Sequence, residues 1–547
     1  MKKRITNVKK GLVISSLGLL LVVSLYSPAR YWRTKLEGAG FPPWLYDHQH
    51  RLSTFTIHGP LENLKWLSSN SLRSLEVSSP EYRQLDFSSN RLRELTLKRT
   101  RLTNLKNIEA QKDLTFLRLV DNMALTDLSA LAELPNLETL VIESTGAPIN
   151  LSALPLQQLQ HVAHLKLNNV VLQRGLGDLM YLPQLKSLHL ANINGVKELD
   201  LRRLSQLEDL TLKKTDLHST ELLPISLKNI SLADNEALRN LNALSSFSDL
   251  TSLNLANNRQ IGLIDIPQLA SLNSLRLHLP GTIDNFTDLV PRLPLLRHLS
   301  LVDLHTGPTI LGLDGWLLDE IELIKMNYLH TLNFLSRQEL KGLHIHSCQS
   351  LSPRAFEAIS SQTRLKVLTL IDSNAEYLDV STLGNLEKLS IIDNPRLVYL
   401  GNLNAIPKLK RLSFSGLLAS LSFARAGLLP PLKELRHQGH HHRDHGVKYF
   451  AYSLTLLTAR HETMSNHASA DSRILRELLA KRRILVALAH VLPYPAKLSI
   501  CGKNFETMPK LPDSIVGLVF IFENGSLQEA HSGKKTKGIT VSLGDEA

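Results

Sequence analysis

The sequence predicts an α/β solenoid, a horseshoe or arc in which short repeats stack and form one parallel sheet on the concave face. Three observations predict it. The motif L-x-x-L-x-L recurs from residue 52 onward, the chain has 547 residues, and aromatic residues make up only 5% of them. A chain of this length exceeds what one compact core usually holds, whereas the core of a repeat array grows along one axis.

The first 35 residues are interpreted as a signal peptide or a membrane anchor, followed by a cap or linker over residues 36–51. Residues 1–10 are basic and residues 11–27 carry no charge, which is the pattern of both kinds of segment. Small residues around Ala29 favour cleavage there, whereas the basic residues that follow favour an uncleaved anchor. The charge distribution predicts a single-pass membrane protein with its repeats outside the cytoplasm. Secretion after cleavage near Ala29 is the alternative.

The repeats occupy residues 52–436, with eighteen copies of the motif spaced 20 to 25 residues apart. The last two apolar positions of each copy alternate as strand residues do, and further leucines return the chain on the outer face. One copy cannot bury these leucines alone, so the copies stack and their strands align in parallel. The copies begin at Leu52, Leu72, Leu92, Leu114, Leu137, Val162, Leu185, Leu207, Leu227, Leu250, Leu272, Leu296, Leu318, Leu340, Leu365, Leu386, Leu409 and Leu432.

These copies resemble leucine-rich repeats of the short bacterial type found in internalin-like proteins. The segment DNPRLVYLGNLNAIPKLKRLSF, residues 393–414, shows this form well. The resemblance implies the fold and no particular activity. The family's asparagine or cysteine position lies eight residues after each start, where such side chains are expected to bond the backbone as the chain leaves the strand. It holds Asn122, Asn235, Asn258, Cys348 and Asn394.

Three segments follow the repeats, together with a tail over residues 528–547 that is expected to be flexible. Residues 437–471 are a histidine-rich linker, whose five histidines between His437 and His445 either bind a metal or lie in a solvated loop. Residues 472–493 predict an amphipathic helix, which either packs on the end of the solenoid or lies on a membrane surface. Residues 494–527 hold two partial copies of a repeat that resembles those of bacterial effectors with the L-P-x-L-P signature. No cysteine follows these copies, so the ubiquitin-ligase activity of those effectors is not carried over.

The net charge of +12 comes from the two ends of the chain. The first 36 residues hold eight basic and no acidic residues, and residues 432–547 hold 16 basic and 11 acidic ones. The repeats themselves are close to neutral, which argues against a nucleic-acid partner because such partners need a basic surface. Within the groove, an acidic partner is expected near Lys98, Arg118, Lys166 and Lys213, with Arg276 in the same basic set.

The repeat register predicts the partner-binding surface. Side chains two, four and six residues after each start face the groove, and at the last of these positions five consecutive repeats place Val302, Ile324, His346, Ile371 and Ile392. Exposed apolar patches with polar rims commonly mark binding sites. Cover by the helix over residues 472–492 is the alternative.

Beside this row the sequence places Glu322 and His344, which complete the predicted partner-binding set, together with His298 and Glu320. These histidines and glutamates are interpreted as a hydrated polar face. A pH sensor or a metal site is the alternative.

The sequence therefore predicts a non-catalytic scaffold that recognises a protein partner through its concave face and is tethered to, or exported across, a membrane. A secreted bacterial effector acting on host proteins is the alternative. The chain contains no phosphate-binding loop, zinc-protease motif or nucleophile elbow. No cofactor, metal ligand or catalytic residue is assigned, and the histidine-rich segment 437–445 is the one candidate centre if the chain is an enzyme.

Overall fold

The computed structural model describes residues 53–58, 64, 67, 72–86, 91–173, 175–279, 283 and 285–414, and the backbone of four later strands. The chain divides into two units, residues 1–250 and residues 251–547. Each unit is built on a parallel sheet to which successive repeats contribute one strand each.

In the first unit, the sheet runs in the order β1-β2-β3-β4-β5-β7-β9-β10-β11, and β6 and β8 form a separate parallel pair. The strands are β1 Thr54–His58, β2 Ser74–Ser78, β3 Glu94–Lys98, β4 Phe116–Val120, β5 Thr139–Glu143, β6 Ile149–Leu151, β7 His164–Asn168, β8 Val170–Leu172, β9 Ser187–Ile193, β10 Asp209–Thr215 and β11 Asn229–Ser231. Short 3-10 helices carry the return segments at Ile108–Ala110, Ser129–Glu133, Leu156–Gln158, Gly177–Tyr181, Val196–Glu198 and Asn242–Ser246.

In the second unit, the strands pair in chain order, all parallel except the last pair. They are β12 Ser252–Ala256, β13 Ser274–His278, β14 His298–Val302, β15 Glu320–Ile324, β16 Gly342–His346, β17 Val367–Ile371, β18 Lys388–Ile392, β19 Arg411–Phe414, β20 Glu434–His437, β21 Lys497–Cys501, β22 Gly517–Ile521 and β23 Leu527–Ala530. The return segments contain 3-10 helices at Leu263–Asp265, Val290–Arg292, Leu313–Gly315, Asn333–Arg337 and Leu403–Ala405, and an α-helix, α1, at Pro353–Ser360.

The predicted α/β solenoid of leucine-rich repeats is confirmed. Each of the eighteen motif copies forms a strand that begins two residues after the copy's first residue. Leucines three and five residues after the start, such as Leu299 and Leu301, are buried, while the side chains between them face solvent at least in part. Each fully buried leucine contributes about 1.5–3 kcal/mol relative to an exposed one. Among the described residues, repetition along the chain therefore builds a core that is mainly aliphatic.

Where an asparagine occupies the family position, its buried amide holds a strand end in place. Asn122 is fully buried, accepts hydrogen bonds from the backbone N–H and the hydroxyl of Thr100, and donates one to the carbonyl of Leu97. Asn235 repeats the pattern with Thr215 and the carbonyl of Leu212. These bonds satisfy backbone groups that the sheet leaves unpaired as the chain turns, and buried groups of this kind must be paired.

The prediction of a single-pass membrane protein is contradicted by the structure. Among the residues that the structure describes, no helix is long and apolar enough to cross a membrane. The helix α1 has eight residues, whereas a span needs about 20. The return segments are too short for longer helices because a repeat of this size must also hold a strand and two turns.

Several predicted segments lie outside the described residues. They are the signal peptide or anchor over residues 1–35 with its hydrophobic stretch 11–27, the cap over 36–51, the histidine-rich segment 437–445 beyond the backbone of its first residue, the amphipathic helix 472–493, and the tail 528–547 beyond the backbone of residues 528–530 in β23. Within 494–527, only the backbone of β21 and β22 is described, and the resemblance to effector-type repeats remains a prediction. The domain boundaries remain predictions.

Candidate binding surface

Five side chains six residues after their repeat starts form one row across the sheet of the second unit. Register pairs Val302 with Ile324, Ile324 with His346, His346 with Ile371, and Ile371 with Ile392. We call this row the apolar stripe. All five side chains are partly exposed, whereas the residues just before them on each strand are buried. The alternation follows from the strand pleat, which turns successive side chains to opposite faces.

A polar row lies beside the apolar stripe, formed by the side chains four residues after each repeat start. On four adjacent strands it consists of Ser300, Glu322, His344 and Thr369. The carboxylate of Glu322 accepts a hydrogen bond from the hydroxyl of Ser300 and forms an ion pair with Arg276 at 2.7 Å. The predicted site residues Glu322 and His344 therefore lie next to the apolar stripe, and the charge of Glu322 is already balanced within the sheet.

His344 is held at both ring nitrogens. Its Nε2 lies 2.9 Å from Oε1 of Glu320, and its Nδ1 lies 3.0 Å from the hydroxyl of Thr369. Gly342 leaves room for the first contact, because a Cβ at this position would lie 3.0 Å from Cγ of Glu320 and the glutamate side chain would have to shift. The same carboxylate lies 3.9 Å from Nε2 of His298. One glutamate thus faces two histidines.

His346 has a different environment although its ring lies only 6.5 Å from that of His344, centre to centre. Its Nε2 is buried and has no hydrogen-bond partner among the described residues. Burial lowers the pKa of His346 from its ordinary value. The carboxylate of Glu322 opposes this shift, while His344 and Arg276 add to it. The neutral ring is therefore the favoured form in the middle of the apolar stripe.

The histidines and glutamates are not arranged as a metal site. Within the described part of the chain, no group of three or more histidine, cysteine or acidic side chains could hold a metal ion.

Cys348 has a structural position. It is buried, and its Sγ lies 3.4 Å from the carbonyl oxygen of His346 and 3.5 Å from that of Leu323. Burial raises the pKa of its thiol to about 11. A protonated thiol of this kind is a poor nucleophile.

The predicted basic surface of the first unit is largely neutralised by acidic neighbours. Arg118 and Lys166 both contact the carboxylate of Glu143, with Lys166 at 2.8 Å. Burial alone would raise the pKa of Glu143, but hydrogen bonds from Lys166 and Arg118 outweigh it and the pKa lies below its ordinary value. Glu143 is only 7% exposed, so the triplet is a fixed structural unit with one net positive charge.

The other predicted basic side chains are paired as well. Lys98 lies 2.8 Å from Glu76, and Lys213 lies 3.6 Å from Asp234. Because each cation has a carboxylate partner, the positive field available to an acidic ligand is much smaller than the sequence suggested. The acidic partners Glu76, Glu143 and Asp234 were missed, although their offsets within the repeats place them on the same or the adjoining part of this face.

A second feature was missed by sequence reasoning. In most repeats, the residue seven positions after the start has a positive φ, between 48° and 63°. Examples are Asp121, Asp303, Lys325 and Asp393. Aspartate and asparagine tolerate this conformation better than other residues with a side chain. Their recurrence at this offset was the available signal. On most strands the turn that they form follows the last strand residue, immediately beyond the solvent-facing row.

Comparisons with known proteins find similar folds at low sequence identity. A leucine-rich-repeat protein of Leptospira interrogans has a TM-score of 0.37 and 23% identity over 68% of this chain and 86% of its own. The functional domain of internalin J from Listeria monocytogenes has a TM-score of 0.32 and 16% identity over 75% and 76%. Mouse RP105, in its complex with MD-1, has a TM-score of 0.38 and 13% identity over 77% and 80%. No family model and no curated protein sequence matches this chain.

Proposed function

We propose that this chain is a non-catalytic scaffold that recognises a protein partner through the solvent-facing side of its sheet, at the apolar stripe of the second unit. The observation that carries the proposal is the register of Val302, Ile324, His346, Ile371 and Ile392 on five consecutive strands. Their side chains are partly exposed where the solvent side of a strand is ordinarily polar.

The size and surroundings of the apolar stripe suit a short peptide segment or a protruding loop. Four strand spacings of about 4.8 Å give a row roughly 19 Å long. One side of the row is polar, with Glu322, His344 and Thr369, and the other ends in the turn residues Asp303 and Asp372. An apolar centre with a polar rim is the usual layout of a protein-binding patch.

Proteins captured by the apolar stripe can be identified by site-specific photo-crosslinking. A photoreactive phenylalanine analogue replaces Ile371 in the full chain, which is irradiated in the cells that produce it and in their medium. Ile264 is the matched control position, because it is an isoleucine of the same unit, 82% exposed, in a return segment. We expect a protein that crosslinks at position 371 and not at position 264.

The captured protein, once purified, tests the proposal quantitatively. We expect Ile324→Asp and Ile371→Asp to weaken its affinity at least tenfold, since a buried isoleucine contributes about 1.5–3 kcal/mol and tenfold corresponds to about 1.4 kcal/mol. Ile264→Asp introduces the same charge and should leave the affinity unchanged. Equal affinity for all four proteins would remove the apolar stripe as the binding site.

A further inference from the structure

His346 is the one ionisable member of the apolar stripe. Its neighbours in register are Ile324 on β15 and Ile371 on β17, so the imidazole fills a gap in a row that is otherwise aliphatic. Its Nε2 is buried and has no hydrogen-bond partner among the residues that the structure describes. A neutral ring tolerates this position, whereas an imidazolium carries a proton on both nitrogens and needs two acceptors.

The charged groups around His346 do not supply the missing acceptor. On β15, Glu322 contacts Ser300 and Arg276 through Oε2, and Glu320 contacts His344. On β17, the side chains that face the same side between residues 367 and 371 are valine, threonine and isoleucine. Asp372 follows this strand and accepts a hydrogen bond from Gln349. Lys325, which follows β15, is a further cation near the strand ends.

His344 shows what an accommodated histidine looks like on the same strand. Both of its ring nitrogens have partners, and one partner is the carboxylate of Glu320 at 2.9 Å. No described carboxylate contacts the buried Nε2 of His346. A proton gained by His346 leaves a charged ring with an unbonded N–H in an apolar row, which costs far more than a bonded one.

From this geometry we propose that His346 makes the apolar stripe acid-sensitive, so that the partner binds while the imidazole is neutral and is released when the imidazole is protonated. The inference rests on the proposed function and adds its regulation. In acid, the charged ring either leaves the row for solvent or remains as an unpaired charge beneath the partner. Both outcomes weaken binding. Because one proton is involved, affinity falls by at most tenfold for each pH unit below the transition.

The binding test compares affinities at pH 7.5 and pH 5.0 within each protein, using the full chain and the protein captured at position 371. We expect a severalfold loss at pH 5.0 for the wild type, which one proton with a pKa below the ordinary value limits to less than about thirtyfold. We expect a ratio near one for His346→Phe, which keeps an aromatic ring and cannot be protonated. His330→Phe is the matched control, because His330 is an exposed histidine of the same unit and should leave the wild-type ratio intact. An equal loss in the wild type and in His346→Phe would overturn the proposal.

A second measurement needs no partner and separates the two proposals. Isoleucine δ1-methyl groups are labelled with ¹³C in the full chain, and the signals of Ile324 and Ile371 are assigned with isoleucine-to-valine variants. We expect both signals to shift between pH 7.5 and pH 5.0 in the wild type and to stay fixed in His346→Phe. If they stay fixed in the wild type too, the acid-sensitive inference fails. If they shift but nothing is captured at position 371, the proposed function fails and with it the release of a partner, while the acid response of the apolar stripe itself stands.

Discussion

Replacing Asn122 with alanine tests whether the asparagine position stabilises the repeats. The wild-type side chain makes three hydrogen bonds, two accepted from Thr100 and one donated to the carbonyl of Leu97, at distances between 2.7 and 2.9 Å. At about 1 kcal/mol for each bond, their loss lowers the free energy of unfolding by about 3 kcal/mol. Water cannot replace the lost partner directly, because Asn122 is fully buried.

Asn136→Ala is the matched control for this prediction. Asn136 is an exposed asparagine of the same unit, and its side chain donates one hydrogen bond to the carbonyl of Lys112 at 2.9 Å. Its loss should cost less than about 1 kcal/mol, because solvent takes over the freed carbonyl. Asn122→Asp keeps both acceptor contacts but loses the donor and adds a buried charge, so it should not restore stability.

The assay combines urea unfolding, followed by far-ultraviolet circular dichroism, with hydrogen exchange. Repeat arrays can unfold in more than one step, so the exchange of the backbone amides of residues 94–122 supplies the local value. We expect exchange to accelerate in this segment for Asn122→Ala and to keep the wild-type rate for Asn136→Ala. Equal effects of the two alanine variants would refute the view that the asparagine bonds hold the strand ends.

Three further predictions concern backbone strain and the buried thiol. Gly312→Ala should lower the free energy of unfolding by at least about 2 kcal/mol, since Gly312 has φ of +83° and a Cβ there would lie 2.4 Å from the backbone nitrogen of Thr287. A melting temperature equal to that of the wild type would contradict this. Asn257→Val should cost about 1–2 kcal/mol in urea unfolding, because a β-branched residue is strained at φ of 63°; a neutral result would mean that the turn relaxes freely. In a Cys501→Ser background, Cys348 should resist a thiol reagent at pH 8 until guanidinium unfolds the chain, because burial raises its pKa to about 11. Rapid labelling of the native protein would contradict this burial.

The strands and their register were predictable because one offset repeats. Once a copy starts at Leu296 or Leu318, the side chain six residues later must lie in the same row as its neighbour, and Val302 does pair with Ile324. The pleat and the parallel pairing leave no other arrangement that buries both leucine positions. The same logic placed Glu322 beside His344. The register states which side chains are neighbours on adjacent strands, and this information was sufficient to locate the apolar stripe.

The contacts among charged side chains were not predictable in the same way. Arg118 and Lys166 lie four residues after their repeat starts, on the strands on either side of Glu143, which lies six residues after its own start, and both contact its carboxylate. Long side chains reach diagonally across a sheet, so a face that looks basic when positions are counted separately becomes an ion-pair network. Gly342 is a further case: because it has no side chain, the side chain of Glu320 lies across it, where a Cβ would be 3.0 Å from its Cγ.

Acid should destabilise each unit through a different histidine, and this determines how the pH tests must be read. Burial lowers the pKa of His189, with Lys166 and Lys213 adding to the shift and Glu143 opposing it; burial also lowers the pKa of His346. A lowered histidine pKa means that the unfolded chain binds more protons in this range. Stability is then fully present above about pH 6.5, the ordinary histidine value, and falls as the pH drops from there towards the lowered pKa. Whole-protein unfolding in acid therefore mixes both histidines, whereas the methyl groups of the apolar stripe respond to His346 through direct contact. If the pH dependence of binding matches that of the isoleucine methyl signals of the apolar stripe, and differs from that of global unfolding, then the effect arises from partner recognition.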